Sequence, residues 1–204
     1  MNPRMKELLQ TSPGTSESLI ARIKDPADAA AWEEFAAIYR PVIYRMARRR
    51  MQDADAQDVV QKVLLAVSQS VDRWSPGKGQ PPFRAWLVTI SKNAILNAVT
   101  RRRPDMGNGS TSIVELLHQQ ADDDPQTSAE FLLETRREAI RWATREIRPE
   151  FSENTWQLFW ETAVVGRTAA DVAHSSARTV GAVYMARFKV MQRLKEKIAE
   201  VSLS

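Results

Sequence analysis

The chain has 204 residues and a formal net charge of +4, with 29 Lys and Arg against 25 Asp and Glu. It contains no cysteine, which excludes a disulfide framework and thiolate metal or redox sites, and with two histidines a zinc site would have to use carboxylates. No apolar run approaches the length of a membrane span, and the N-terminus lacks an apolar signal core. We therefore expect a soluble, cytoplasmic protein without a cofactor.

The basic residues are clustered. One cluster lies within residues 40–50 and a second is Arg101 to Arg103, while residues 178–197 contain six basic side chains and one acid, Glu196. Separate basic patches on a protein with no membrane-inserting signature indicate a nucleic-acid partner. Charged helix faces are also often simply solvated, so composition alone leaves this open.

The sequence predicts a loose tail over residues 1–15, followed by a short helix from Ser16. Asp25 is the expected cap of the next helix and Pro26 suits its first turn. Three aromatic residues recur at helical spacing and are expected in the core: Trp32, Phe35 and Tyr39. Pro41 should break or kink this helix.

Two amphipathic helices follow, joined by a loop rich in Pro, Gly and Lys. Asp53 or Asp55 is the expected N-cap of the first, which carries a polar sector at spacings of three and four: Asp58, Gln61 and Lys62. The apolar residues of the second helix recur at helical spacing from Phe83 to Val99, and Pro104 ends the helix.

From Pro104 to Thr127 the composition shifts to Gly, Asn, Ser, Thr, Gln and Asp. Such a polar segment is too long to lie inside a compact domain, so it is the expected flexible linker and domain boundary. The domains predicted on either side are residues 16–103 and 128–204.

The second domain has helical spacing throughout. Ser152 and Thr168 are expected N-caps, and Gly166 is an expected helix end. A brief turn, Ser175 to Arg178, leads into a long helix whose apolar residues should face inward: Val180, Val183, Val190 and Leu194. Because no period-two pattern competes anywhere, the sequence predicts an all-α fold of two small helical domains.

A short helix, a tight turn and a longer basic helix form the outline of a helix-turn-helix. The second helix should present polar and basic groups to the major groove near its start. The candidates are Arg178, Thr179, Tyr184, Arg187 and Lys189. Helix pairs with basic faces also occur in many proteins that bind no DNA.

Three stretches together resemble the extracytoplasmic-function (ECF) sigma factors of bacterial RNA polymerase. They are DADAQDVVQKVLLAV (Asp53 to Val67), PFRAWLVTISKNAILNAVTRRR (Pro82 to Arg103) and GRTAADVAHSSARTVGAVYMARFKVMQRL (Gly166 to Leu194). The first two are similar to region two of the family and the third to region four. The resemblance covers about residues 16–103 and 128–198 and leaves the tail and linker outside it.

The resemblance implies a specificity subunit that binds core RNA polymerase and promoter DNA and is not an enzyme. Region two would dock on the clamp of the largest polymerase subunit through Asp58, Gln61 and Lys62. Its loop and second helix would capture the melted −10 element, as unpaired bases need stacking surfaces, amide edges and cations. The matching residues are Trp74, Lys78, Arg84, Trp86, Lys92, Asn93, Asn97, Arg101, Arg102 and Arg103. Region four would read the −35 duplex through the helix-turn-helix, and an anti-sigma protein would be a further partner.

Three residues depart from the family pattern. Family members usually carry Glu where this chain has Lys62, and a charge reversal there could weaken or retune polymerase docking. The helix-turn-helix normally has an apolar residue and then Gly at its turn, where Ser176 and Ala177 stand here. Because Ala tolerates positive φ poorly, we expect a rebuilt turn or a less stable domain.

Other functions stay open from the residues alone. A stand-alone helix-turn-helix regulator would use the N-terminal half for dimerisation and bind a palindromic duplex. A helical adaptor would use its basic faces only for solubility. An enzyme is the weakest reading, because no nucleophile–base pair, phosphate loop or metal-ligand cluster is recognisable.

Overall fold

The computed structural model describes residues 17–75, 81–101 and 125–201. Within these ranges the chain forms α-helices and no strand, which confirms the prediction of an all-α fold. None of the described helices combines the length and apolar content that crossing a bilayer requires. The α-helices are α1 (Glu17–Ile23), α2 (Ala29–Arg48), α3 (Asp53–Ser70), α4 (Phe83–Arg101), α5 (Pro125–Ile147), α6 (Glu153–Phe159), α7 (Ala169–Ser175) and α8 (Val180–Val201).

The caps of α2 and α3 differ from those predicted. Asp28 caps α2, accepting a hydrogen bond from the Ala31 N–H at 2.8 Å, whereas Asp25 accepts from the Ala27 N–H in the preceding turn. For α3 the cap position is Gln52, whose side chain makes no capping bond. Asp53 instead lies in the first turn, where a carboxylate interacts favourably with the helix dipole.

Pro41 does not end α2, which continues from Ala29 to Arg48. The residues on either side of the proline hold the helix in place, because Ile38, Val42 and Ile43 are buried in the core. Proline removes one backbone hydrogen bond and costs about 3 kcal/mol in a helix interior. Burial of several large apolar side chains offsets a cost of that size.

The described residues divide into two compact units, one up to Glu138 and one from Ala139 onward. In the N-terminal unit α2 packs against α1 and α3, and α3 packs against α4. An aromatic cluster lies between these helices. The Phe35 ring contacts the rings of Tyr39 and Phe83, at centroid distances of 4.6 Å and 6.1 Å.

The first part of α5 belongs to the N-terminal unit. Phe131 is fully buried there, with its ring stacked on Tyr39 at 6.4 Å. Arg45 of α2 pairs with Glu134 at 2.9 Å and with the buried Glu138 at 2.6 Å. The predicted linker lies outside the described residues except for residues 125–127, which form the start of α5, so the predicted domain bounds stay a prediction.

In the C-terminal unit α8 packs against α6 and α7. The predicted caps are confirmed: Ser152 accepts from the Thr155 N–H at 3.3 Å and Thr168 from the Asp171 N–H at 3.1 Å. Gly166, with φ of 89°, ends the π-helical segment Trp160–Val165 that continues α6. The prediction that Val180 faces inward is wrong, because it lies in the first turn of α8 with an exposed side chain.

Candidate nucleic-acid and polymerase interface

The predicted polymerase-binding residues lie together on α3. Asp58, Gln61 and Lys62 are all exposed, and their spacing puts them on one side of the helix. Leu65 continues this side one turn later, with 51% of its surface exposed. Leu65 is not among the predicted polymerase-binding residues, although its position seven residues after Asp58 was a usable signal. The side therefore combines an acid, an amide, a cation and an exposed apolar group.

Trp74 is buried, and its contacts anchor the two ends of the loop between α3 and α4. Its Nε1–H donates to the Pro81 carbonyl at 3.2 Å, and its ring meets the Phe83 ring edge-on at 5.3 Å. Lys24 donates to the Trp74 carbonyl at 2.7 Å and also lies over the indole ring. In this arrangement the indole is packed rather than presented to a base.

Two other residues predicted to contact the −10 element, Asn93 and Arg84, are buried and half-buried in the N-terminal unit. Asn93 is only 1% exposed. Arg84 lies beside the buried Tyr39, where burial raises the pKa of the tyrosine hydroxyl and the guanidinium opposes that rise. Both side chains therefore contribute to the packing beneath the predicted DNA surface.

The remaining members of this set are half-buried, end α4 or lie outside the described residues. Trp86, Lys92 and Asn97 are half-buried on α4. Lys92 donates to the Ser128 hydroxyl of α5 at 3.4 Å, and the Trp86 ring packs on Phe83 at 5.2 Å. Arg101 is the last residue of α4. Lys78, Arg102 and Arg103 are not among the described residues.

The C-terminal unit contains a helix-turn-helix formed by α7 and α8. Val172 and Ala173 of α7 pack with Val183 and Ala186 of α8 in one apolar core. Thr179 caps α8, its hydroxyl accepting from the Ala182 N–H at 3.1 Å. Of the residues predicted to contact the −35 element, Arg187 is half-buried and the others are exposed: Arg178, Thr179, Tyr184 and Lys189.

The long helix is fastened to the unit by an ion pair. Arg193 of α8 makes a two-pronged contact with Glu150, through Nε at 2.7 Å and Nη2 at 3.0 Å. The two hydrogen bonds from the guanidinium hold the pKa of the Glu150 carboxyl below its usual value. This geometry ties α8 to the turn before α6, so the orientation of α8 does not depend on its apolar contacts alone.

The turn between α7 and α8 is not rebuilt, because Ala177 keeps the left-handed backbone that glycine usually supplies at this position. Ala177 has φ of 51°, in the left-handed region. The Ala177 N–H bonds to the His174 carbonyl and the Arg178 N–H to the Ala173 carbonyl at 3.0 Å, which together form a Schellman motif. Glycine is the usual residue at such a position because its missing Cβ removes the steric penalty.

We expect Ala177→Gly to raise the free energy of unfolding of the C-terminal unit by about 1 kcal/mol, since a left-handed alanine costs about 1–2 kcal/mol and glycine recovers most of it. Urea unfolding of the full chain measures the change. Ala170→Gly is the matched control, because Ala170 is exposed in regular helix of α7. That control should lower stability by about 0.5–1 kcal/mol. A loss of stability in both variants would contradict the inference that the left-handed backbone of Ala177 is strained.

Comparison with known proteins gives matches to both parts of the chain. Residues 35–104 match the family model described as Sigma-70 region 2. The ECF RNA polymerase sigma factor SigD of Mycobacterium tuberculosis is 29% identical over 176 residues, which cover 84% of this chain and 78% of SigD.

A shorter match is to the ECF RNA polymerase sigma factor SigE of Mycolicibacterium smegmatis, 33% identical over 79 residues. It covers 38% of this chain and 29% of SigE. The region 2 match contains α3 and α4, and the SigD alignment is long enough to extend beyond it into a second part of the chain. The family-model match and the two relatives support an extracytoplasmic-function RNA polymerase sigma factor, in agreement with the resemblance of the sequence motifs.

Proposed function

We propose that this protein is a sigma factor that binds core RNA polymerase and directs it to a limited set of promoters. The observation that carries the proposal is the exposed side of α3 with Asp58, Gln61, Lys62 and Leu65, inside the segment that matches Sigma-70 region 2. The buried side of the same helix supplies the core of the N-terminal unit, through residues such as Val59 and Val63. The exposed side is therefore free of a structural task.

The composition of that side suits a protein partner. A charged or amide rim around an exposed leucine is the arrangement of a small interface, in which the apolar group is desolvated and the rim sets orientation. Asp58 and Lys62 lie one turn apart with opposite charge. We infer that the clamp of the polymerase presents complementary charges to both, so that Lys62 retunes docking instead of abolishing it.

For the −10 element we propose contact by the half-buried and terminal residues of α4. Trp86, Lys92 and Asn97 offer an aromatic ring, a cation and an amide. Arg101 to Arg103 and Lys78 would add positive charges that contact the phosphate backbone of the DNA strand. Trp74, Arg84 and Asn93 would act indirectly, because their contacts in the N-terminal unit hold the loop and α4 in place. Capture of single-stranded bases by Trp74 would first require its ring to leave Phe83.

For the −35 element we propose that α8 enters the major groove at its N-terminal end. The exposed side chains of Arg178, Tyr184 and Lys189 lie near that end, and the Thr179 cap leaves the first backbone N–H groups oriented towards a phosphate. Cations on this helix would neutralise phosphates and make binding salt-dependent. An anti-sigma protein as a further partner is supported by the family resemblance.

The test is co-purification of the full chain with bacterial core RNA polymerase, followed by promoter-dependent run-off transcription with the same reconstituted complex. We expect the wild-type chain to bind and to yield specific transcripts. Asp58→Arg should reduce polymerase binding by at least tenfold, because it places like charges in an interface, which costs several kcal/mol. Glu33→Arg is the matched control, since Glu33 is exposed on α2 of the same unit.

The outcomes separate the function from the assignment of the site. If Asp58→Arg and Glu33→Arg both bind like the wild type while run-off transcripts form, the polymerase surface lies elsewhere. If the wild type forms no complex and no transcript, the sigma function itself is rejected. Tight binding to a duplex without polymerase would then favour a stand-alone regulator.

A further inference from the structure

The solvent side of α8 carries three large apolar side chains in consecutive turns. Tyr184 is 55% exposed, Met185 54% and Phe188 60%. We call these three residues the apolar stripe. The packing of the C-terminal unit uses the opposite side of the helix, where Val183, Val190 and other residues are buried. The apolar stripe therefore contributes little to the core of its own unit, and neither Met185 nor Phe188 is among the predicted site residues.

The spacing of the apolar stripe makes it one continuous surface. Residues three and four apart on a helix are neighbours, so Phe188 lies next to both Tyr184 and Met185. Single exposed apolar residues need no explanation, whereas a contiguous group on a polar surface marks a contact with another molecule.

The charges around the apolar stripe indicate what that molecule is. From Val180 to Gln192 the helix contains Arg187 and Lys189 and no acidic residue. Arg178, just before the helix, is also exposed. A surface that combines apolar groups with cations and lacks acids is complementary to a polyanion with apolar features. Duplex DNA has both, because the major groove displays the thymine 5-methyl groups between two phosphate strands.

Gly181 supplies an independent observation on the same side of α8, one turn before Tyr184 and Met185. A Cβ built on Gly181 would meet only the Thr179 hydroxyl, at 4.0 Å, so no neighbour within the protein requires a glycine there. Glycine in a helix interior makes the helix less stable than alanine does. A close external approach to the backbone at this position explains the residue, and it would occur where the first turn enters the groove.

We propose that the apolar stripe reads thymine methyl groups in the −35 duplex, with Gly181 providing the clearance that lets α8 lie deep in the major groove. This inference rests on the proposed function and adds to it the chemistry of the bases that are read. Met185 and Phe188 become specificity-determining residues beside the polar contacts of Arg178 and Lys189. The preferred −35 sequence then contains A·T pairs facing the stripe.

The experiment uses core RNA polymerase reconstituted with the full chain. The holoenzyme first selects its preferred promoters from a synthetic duplex library randomised over both promoter elements. In the selected duplex each −35 thymine is then replaced singly by deoxyuridine, which removes only the methyl group. We expect at least one replacement to weaken binding about fourfold, the value that follows from losing one buried methyl group.

The protein variants identify which side chain reads the methyl. In Phe188→Ala or Met185→Ala the same deoxyuridine replacement should have no further effect, because the contact is already absent. Both residues are exposed, so their truncation leaves the fold in place. Val165→Ala is the matched control, since Val165 is an exposed apolar residue of the same unit outside α8. It should retain the wild-type response to deoxyuridine.

A second variant tests the clearance at Gly181. Gly181→Leu should stabilise α8, because leucine favours helix and the added Cβ would meet only the Thr179 hydroxyl, at 4.0 Å. The same change should weaken binding to every selected duplex, deoxyuridine-containing or not. Binding equal to that of the wild type would show that nothing approaches this position closely.

The results that overturn the proposal are distinct from failure of the sigma function. Selected −35 duplexes without A·T pairs, or duplexes whose binding is indifferent to every deoxyuridine replacement, would show that the stripe faces something other than bases, such as a protein. A holoenzyme that selects no DNA at all would reject the proposed function, and the inference with it.

Discussion

Phe131→Ala is expected to lower the free energy of unfolding of the N-terminal unit by about 3–5 kcal/mol, the usual cost of truncating a buried phenylalanine. The residue is fully buried, and its ring stacks on Tyr39 of α2 at 6.4 Å. Removal of the ring leaves a cavity beneath Tyr39 and weakens the packing of α5 against α2. The effect is large because residues 125–138 are part of this unit and not a free extension of it.

Amide hydrogen exchange of the full chain measures this prediction, since it reports the opening free energy of α2 separately from that of the C-terminal unit. Leu133→Ala is the matched control, because Leu133 lies two residues away on the same helix and is exposed. The control should change the protection of α2 by less than about 0.5 kcal/mol. Equal effects of the two substitutions would mean that α5 does not pack on α2 in solution.

The ion pairs of α5 belong to the same contact. Arg45 bridges Glu134 and Glu138, and Arg49 pairs with Glu130 at the exposed edge. Exposed pairs contribute little, about 0–1 kcal/mol each. The pair of Arg45 with the buried Glu138 contributes more, because removal of Arg45 would leave the Glu138 carboxylate charged, buried and without that partner. The ring contact and this pair together fix how α5 lies on α2.

The second large effect is expected for Phe83→Ala. The Phe83 ring is fully buried, and it contacts the rings of Phe35, Trp74 and Trp86 at 6.1 Å, 5.3 Å and 5.2 Å. We expect a loss of about 3–5 kcal/mol in unfolding free energy from the cavity, with part of it due to the lost aromatic pairs. The loop anchored by Trp74 should loosen at the same time, because its indole loses the surface on which it packs.

Urea unfolding followed by hydrogen exchange of α3 and α4 measures the stability change. Leu96→Ala is the control on the same helix, because Leu96 is exposed. Phe83→Leu should fall between Phe83→Ala and the wild type, since it refills part of the cavity without restoring the ring contacts. If the Phe83→Ala variant were as stable as the Leu96→Ala variant, the conclusion that the aromatic cluster stabilises the N-terminal unit would be wrong.

The sequence predicted much of the secondary structure of the described residues. The helical spacing around Phe35, the caps at Ser152 and Thr168, and the helix end at Gly166 all agree with the structure. These features depend on a side chain and the backbone one turn away, so neighbours in sequence suffice to predict them. The predictions at Asp25 and Asp53 were wrong because several acids compete for one cap within a few residues, and local rules do not rank them.

The candidate site was predicted less completely. Composition and family motifs marked Asp58, Gln61 and Lys62, and these do lie on one exposed side of α3. The same reasoning grouped Trp74 and Asn93 with accessible residues, although both are buried. Trp74 was predicted at the start of a loop and Asn93 on the polar face of its helix, and such local patterns predict exposed side chains. They did not show whether another helix covers them.

The sequence by itself determined that this protein is helical and where several of its helix caps and ends fall, among them Ser152, Thr168 and Gly166, because these features follow from interactions within about one helical turn. Only the tertiary structure decided that Phe131 and Glu138 pack with helices some 90 residues earlier, and that Leu65, Met185 and Phe188 are left uncovered. Exposure is set by which distant surfaces meet, and no local pattern contains that information.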